Sequence, residues 1–253
     1  MSVWLPSAPC TPRACIQQGR CTRGWGAPRL LAVVALILAG IAGSFVVRWL
    51  PGALVRAWAR GVVRACGVRV RITGAAPPDG GLLVVANHIS WLDVPLLAAV
   101  RPARMLAKRE IRQWPLAGPI AARAALFIDR DRLRALPGTV AHIARALRGG
   151  QAVAVFPEGS TWCGREHGRF RRAVFQAALD AGTPVQPVRI RYRTADGGES
   201  TAPAFIGDDT LLASVWRVVT ARRLVAEVEV LPLVDPAEYP DRRSLARAAE
   251  VGS

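Results

Sequence analysis

The sequence predicts an α/β domain: a single domain with a largely parallel sheet flanked by helices, preceded by an N-terminal membrane-anchoring helix. Three observations carry this expectation. Short apolar runs alternate with helical patterns from residue 68 to residue 231, the rhythm of strands joined by crossover helices. The run 30–47, LLAVVALILAGIAGSFVV, carries no charge and is bounded by Arg29 and Arg48. Apolar residues make up 51% of the 253, enough to build a sizeable core.

Taken in order, residues 1–28 hold several Pro and Gly and show no hydrophobic periodicity, so a disordered basic tail is expected. The run Leu30–Val47 would span about 27 Å as a helix, close to the ~30 Å hydrocarbon core of a bilayer. It is longer than the usual apolar stretch of a signal peptide and lacks a good cleavage site, which favours an anchor. Arginines flank both ends, so the positive-inside rule leaves its orientation open. Pro51 breaks the run. From Ala53 to Cys66, Leu54, Val55, Trp58, Val62 and Val63 alternate with Arg56, Arg60 and Arg64 spaced four apart. That pattern suits a helix lying at a membrane surface, or equally one packed on the flank of the domain. Residues 29–66 thus form the anchor and interfacial helix, 67–234 the main domain, and 235–253 a charged C-terminal helix or tail.

Within the main domain, strands are expected at Val68–Ile72, Leu82–Ala86, Arg104–Ala107, Leu126–Ile128, Ala152–Phe156, Val185–Arg191 and Val225–Leu231. Helices are expected near 90–100, 116–124, 137–148, 170–182 and 210–220.

Composition narrows the function classes. The net charge is +16, but the basic residues are dispersed, and only 6% of residues are Phe, Trp or Tyr. No stretch interleaves aromatic with basic side chains as a single-strand binder would, so no nucleic-acid partner is expected. A basic protein beside an anionic membrane is the simpler reading. Neither G-x-G-x-x-G nor a Walker loop occurs, which removes the usual support for nucleotide binding. Of the five cysteines, Cys10, Cys15 and Cys21 sit in the tail, while Cys66 and Cys163 stand alone. Cys163 and His167 are four apart but lack a second pair. Free thiols in a reducing compartment are expected, rather than a disulfide or metal framework.

Three stretches carry chemistry. Asn87-His88-Ile89-Ser90-Trp91-Leu92-Asp93 follows the apolar run Leu82–Ala86. Ser90 can cap a helix, with Asp93 in the acidic place of a capping box. That puts an imidazole in a turn with a carboxylate in reach. Free imidazole titrates near pH ~6.5 and accepts a proton at neutrality, and a carboxylate on its other nitrogen fixes the tautomer. The bland alternative is a capped helix beside a solvated histidine. The second stretch, Phe127-Ile128-Asp129-Arg130, ends a strand with an arginine suited to gripping phosphate, or with a plain surface cluster. The third, Phe156-Pro157-Glu158-Gly159-Ser160-Thr161, closes another strand in a tight turn where Gly159 lets backbone amides approach a ligand. All three follow strands, so if those strands are parallel they share one rim, where open α/β sheets bind ligands.

These residues resemble the motifs of the glycerolipid acyltransferases, in particular the bacterial 1-acyl-sn-glycerol-3-phosphate acyltransferases. Asn87-His88 with Asp93 resembles their N-H-x-x-x-x-D block. Lys108 and Glu110 with Pro115 and Gly118 resemble a K-x-E…P-x-x-G segment, Phe127–Arg130 a second block, Phe156–Ser160 the F-P-E-G-[TS] block, and Val185–Val188 a last, proline-containing block. The blocks fall in order across residues 82–191.

The resemblance implies direct acyl transfer from acyl-CoA or acyl carrier protein to the sn-2 hydroxyl of lysophosphatidic acid, giving phosphatidic acid. His88 is implied as general base and Asp93 as its orienter. Asn87, Lys108, Arg130, Phe156, Pro157, Glu158, Gly159 and Ser160 are implied as substrate-binding. It implies no metal, no cofactor beyond the donor, membrane lipids as surroundings and a cell-membrane location with the site facing the cytoplasm. There is one departure: Thr161 and Trp162 stand where many members carry an arginine, which leaves other lysophospholipids or a lyso-aminolipid open as acceptors. A lipid hydrolase using Ser160 or Cys163 is the alternative of a different class, but no G-x-S-x-G elbow is present.

Overall fold

Residues 8–17, 23–44, 50–108, 118, 125–128 and 133–251 are described by a computed structural model of the chain. Seven strands form one sheet: β1 (Val68–Gly74), β2 (Leu82–Ala86), β3 (Arg104–Lys108), β4 (Ala125–Ile128), β5 (Ala152–Val155), β6 (Val185–Arg193) and β7 (Leu224–Val230). Their order is β1-β7-β6-β2-β5-β3-β4. Every pairing is parallel except β6 with β7. The predicted α/β class and largely parallel sheet are therefore those of the protein.

The centre of the sheet is buried on both faces, which is why β2 and β5 read as unbroken apolar runs. Successive side chains of a strand point to opposite faces. On one face Leu82, Val84 and Ala86 pack with Val63 and Cys66 of the helix α3 region, Leu96 and Leu97 of α4, and Val218 and Val219 of α7. Here α3 is Gly52–Ala65, α4 Asp93–Val100 and α7 Leu211–Thr220. On the other face Leu83, Val85, Val153 and Val155 meet Ile143 and Leu147 of α5 (Leu136–Arg148), Phe175 and Ala178 of α6 (Phe175–Ala181), and Leu245 of α8 (Arg242–Ala248). Each fully buried Leu, Ile or Phe in these layers contributes roughly 1.5–3 kcal/mol.

The N-terminal part departs from expectation in two ways. Residues 8–17 are not a disordered tail. Thr11 caps a single helical turn, α1 (Pro12–Cys15), Pro12 takes the first helical position, and Cys10 is buried in the core. Gln17 N–H donates to Thr201 Oγ1 at 3.0 Å, holding the end of this segment to the domain. The apolar helix α2 runs Arg23–Gly43, so it begins seven residues before Leu30 and includes Pro28 near its start. Among the described residues, Gly24–Gly43 is the one helix long and apolar enough to cross a membrane.

α2 is tied to the domain at two points. Arg29 Nη1 donates to the carbonyls of Val219 at 2.9 Å and Ala221 at 3.3 Å. Trp58 Nε1 of α3 donates to Leu36 O at 2.9 Å, a close approach that Gly40 permits, since a Cβ there would lie 2.4 Å from the indole. Val33 of α2 is buried in the core and Ile37 packs against it, while Leu31 and Leu38 are exposed. Of the helix expected near 116–124 only Gly118 is described, and it is helical, while residues 45–47 of the apolar run lie outside the described residues.

Candidate active site

β2 and β5 lie side by side and run the same way, with Val85 opposite Val155. The Asn87–Asp93 turn and the Phe156–Ser160 turn therefore leave one edge of the sheet together. β4 is parallel as well and ends at the same edge, two strands beyond β5. Asp129 and Arg130 lie outside the described residues, so the second stretch adds no geometry. Lys108 closes β3 opposite Ile128.

Asp93 is the hub of the first turn. Its carboxylate is fully buried and accepts four hydrogen bonds. Oδ2 takes the N–H of Ile89 at 2.6 Å, the N–H of Ser90 at 2.8 Å and His88 Nδ1 at 2.9 Å, while Oδ1 takes the Tyr192 hydroxyl at 2.7 Å. The helix begins at Asp93, not at a Ser90 cap. Ser90 instead turns its hydroxyl to the Leu92 N–H, and the Asp93 carboxylate reaches back to the orphan N–H groups ahead of the helix. A carboxylate near a helix N-terminus is electrostatically favoured, and four donors compensate its burial.

This geometry sets the chemistry of His88. With Nδ1–H donated to Asp93, the lone pair sits on Nε2. The His88 side chain keeps 22% exposure, so it remains reachable from solvent. Its ring is stacked on Phe156, with centroids 3.9 Å apart and planes 9° from parallel. Phe156 thus serves as a wall for the imidazole.

The backbone of His88 is held from both sides by the third stretch. Its N–H donates to Glu158 Oε2 at 2.6 Å, and its carbonyl accepts the Trp162 N–H at 2.8 Å. Glu158 Oε1 accepts the Gly168 N–H at 3.0 Å. Burial pushes the Glu158 carboxyl up to about 8, against the pull of those two N–H groups and with help from the Asp93 and Glu250 charges. Sequence reasoning placed Glu158 on the rim as a substrate contact. In the structure its carboxylate is buried and spent on the protein's own backbone.

Asn87 is likewise bonded to the protein's own backbone. Its carboxamide donates to Ile190 O at 2.9 Å and accepts the Ile190 N–H at 2.8 Å, locking the end of β2 to β6 rather than facing a ligand. Pro157 is buried. Gly159 adopts φ 78°, and its N–H closes the turn onto Phe156 O at 3.1 Å, as the turn chemistry predicts. Ser160 is half-buried at the end of that turn.

Three participants escaped sequence reasoning: Tyr192, Trp162 and Gly168. Tyr192 had a readable signal, because a tyrosine on the buried face of a strand needs a partner for its hydroxyl. Its burial and the Asp93 charge hold its ionisation well above the usual phenol range, so it stays a donor. At the departure from the family pattern, Thr161 Oγ1 donates to Phe205 O, and the Phe205 N–H donates to Ile89 O at 2.9 Å. Arg165 and Arg169, which follow in the chain, are exposed.

A family model described as Acyltransferase matches residues 67–191. The lyso-ornithine lipid O-acyltransferase of Pseudomonas aeruginosa is 39% identical over 88% of this chain and 88% of its own. The 1-acyl-sn-glycerol-3-phosphate acyltransferase of Neisseria meningitidis is 36% identical over 74% of this chain and 73% of its own. In fold, the crystal structure of the 1-acyl-sn-glycerophosphate acyltransferase of Thermotoga maritima is similar with a TM-score of 0.63, at 20% identity, covering 88% of this chain and 92% of that one. The family model and the relatives show that the chain belongs to the acyltransferase family, and the sheet agrees with it. Its relatives within that family include enzymes named for lyso-ornithine lipid, for 1-acyl-sn-glycerol-3-phosphate and, in Drosophila melanogaster, for lysophosphatidylcholine.

Proposed function

We propose that the protein is a membrane-bound O-acyltransferase that moves a fatty acyl group from a thioester donor to the free hydroxyl of a lyso-lipid. The observation that carries this reading is the His88 Nδ1 to Asp93 bond, which leaves Nε2 as the base of a side chain that keeps 22% exposure. Nε2 takes the proton of the acceptor hydroxyl as its oxygen forms a bond to the thioester carbonyl carbon. The C–S bond then breaks, and the thiolate leaves and takes that proton from the imidazolium. Base help of this kind is worth roughly 10²–10⁴ in rate. Asp93 stabilises the imidazolium between the two steps. Acyl-CoA or acyl carrier protein supplies the thioester, which puts the site on the cytoplasmic side with α2 in the bilayer. No residue of this scheme calls for a metal.

For the acceptor, 1-acyl-glycerol-3-phosphate is the first reading, resting on the ordered motifs and on relatives such as the Neisseria meningitidis enzyme. Lyso-ornithine lipid is the second, and two observations favour it. Thr161 and Trp162 depart from the arginine that many members of the resembled family place after F-P-E-G-T, and the Pseudomonas aeruginosa relative matches along most of both chains. Purified protein in mixed micelles, given oleoyl-CoA with each acceptor in turn, decides between them by mass of the diacyl product. Phosphatidic acid as the main product supports the first, and diacyl ornithine lipid the second. Free fatty acid from either mixture would overturn transfer and point to hydrolysis.

A further inference from the structure

Cys10, Cys15 and Cys163 converge although 148 residues separate Cys15 from Cys163 in the chain. Their three sulfurs all lie within 4.8 Å of one another. We propose that these thiols bind one thiophilic cation, with zinc(II) the best fit, stapling the N-terminal segment to the loop that holds the catalytic histidine.

Three features make this a built site rather than a chance grouping. The first is the donor set. Thiolate ligands select zinc among the common divalent ions, and Zn–S bonds of ~2.3 Å in a tetrahedron put sulfurs about 3.8 Å apart. The three side chains need to close by no more than about 1 Å. Two of the thiols are buried while Cys15 is half-exposed, which leaves a side open to water as a fourth ligand.

The second feature lies in the outer contacts. The backbone N–H groups of Arg165 and Glu166 face the Cys163 sulfur, near enough to act on its charge. N–H donors of this sort hold a metal-bound sulfur in place and are part of the binding energy of such sites. The third is that both halves are fixed without the cation. Cys15 closes the turn capped by Thr11, and Gln17 is bonded to Thr201. Pro12 and the Cys10 carbonyl pack against Gly207, 3.2 and 3.4 Å from where a Cβ would stand.

The staple would bear on the active site through one residue. Cys163 follows Trp162, whose N–H holds the His88 carbonyl. Binding displaces the thiol protons to solvent, so affinity rises with pH. No redox partner is required.

The test is titration of the full-length chain in detergent, thiols kept reduced, with Zn²⁺ and with Co²⁺ as a spectroscopic stand-in. The expected result is one cation per chain and a sulfur-to-cobalt charge-transfer band. Cys163→Ser and Cys15→Ser should each weaken binding by more than the roughly 10–100-fold that loss of an outer contact costs. Cys66→Ala, at a thiol buried elsewhere beside β1, should keep the full stoichiometry. Circular dichroism of each variant separates lost binding from lost fold, and Cys15 is exposed enough that its serine variant should fold. Less than half a cation per wild-type chain, equal binding by the Cys163 and Cys15 variants, or a disulfide between two of the three thiols in place of bound zinc would each overturn the proposal. The readout is a stoichiometry, so it stands apart from the identity of the acyl acceptor.

Discussion

Glu158 Oε2 accepts the backbone N–H of His88 at 2.6 Å, a bond that spans 70 residues of chain. The F-P-E-G turn therefore grips the N-H turn, and two motifs that read as separate pieces of a site form one clamp. With His88 proposed as the base, we propose positioning, rather than contact with the acceptor, as the role of Glu158.

Glu158→Gln tests that role. An amide presents one acceptor oxygen where the carboxyl presents two, so either the His88 or the Gly168 N–H loses its partner. Leaving a buried N–H unsatisfied costs about 1–3 kcal/mol. The variant should melt lower and turn over more slowly, with the acceptor KM little changed. A raised KM at unchanged turnover would instead make Glu158 an acceptor ligand.

The same carboxyl gives stability a pH dependence. Its ionisation is pushed up to about 8 in the folded chain, against 4.5 ordinarily. Between those values the folded state holds a proton that the unfolded state releases. The contribution is complete below about 4.5 and is lost as pH rises through about 8. Thermal midpoints measured from pH 5 to pH 8.5 should fall more steeply for the wild type than for Glu158→Gln. Parallel profiles would contradict it.

Asp93→Asn should lower turnover by roughly 10²–10⁴ while acceptor KM barely moves, because an amide fails to hold the Nδ1–H tautomer. Steady-state kinetics with the acceptor varied checks both halves. Normal turnover would reduce Asp93 to a helix cap.

Tyr192→Phe removes one of four donors to Asp93 and leaves Oδ1 buried with a vacancy. A hydrogen bond to a charged group is worth about 1.5–3 kcal/mol, so a drop of that size is expected in the unfolding free energy. Turnover should fall less than in Asp93→Asn, since the Oδ2 contacts survive. Equal stability of variant and wild type would show that the hydroxyl has another partner.

Much of the fold was legible because central parallel strands are apolar on both faces. Leu82–Ala86 reads as a strand without help, and β1, β3, β6 and β7 differ from expectation only at their ends. His88 and Asp93 were legible because their bond is local, five residues apart, and depends on one turn. What stayed hidden is long-range. Nothing local to Glu158 says that its partners are the N–H groups of His88 and Gly168, and nothing near Asn87 says that Ile190 takes its amide. The packing of Cys10 was masked by the Pro- and Arg-rich composition around it, although Thr11-Pro12 is itself a helix-start signal. Spacing rules for metal sites look along the chain, and the three thiols meet only across it.

Base catalysis by His88 is tested most directly by thiol release from a long-chain acyl-CoA. Membrane-embedded wild type and His88→Ala are assayed with and without each lyso-lipid acceptor. Release that needs the acceptor and falls by at least roughly 10² in the variant, with its melting temperature intact, is the expected result. Release independent of acceptor, or preserved in His88→Ala, would contradict acyl transfer by this histidine.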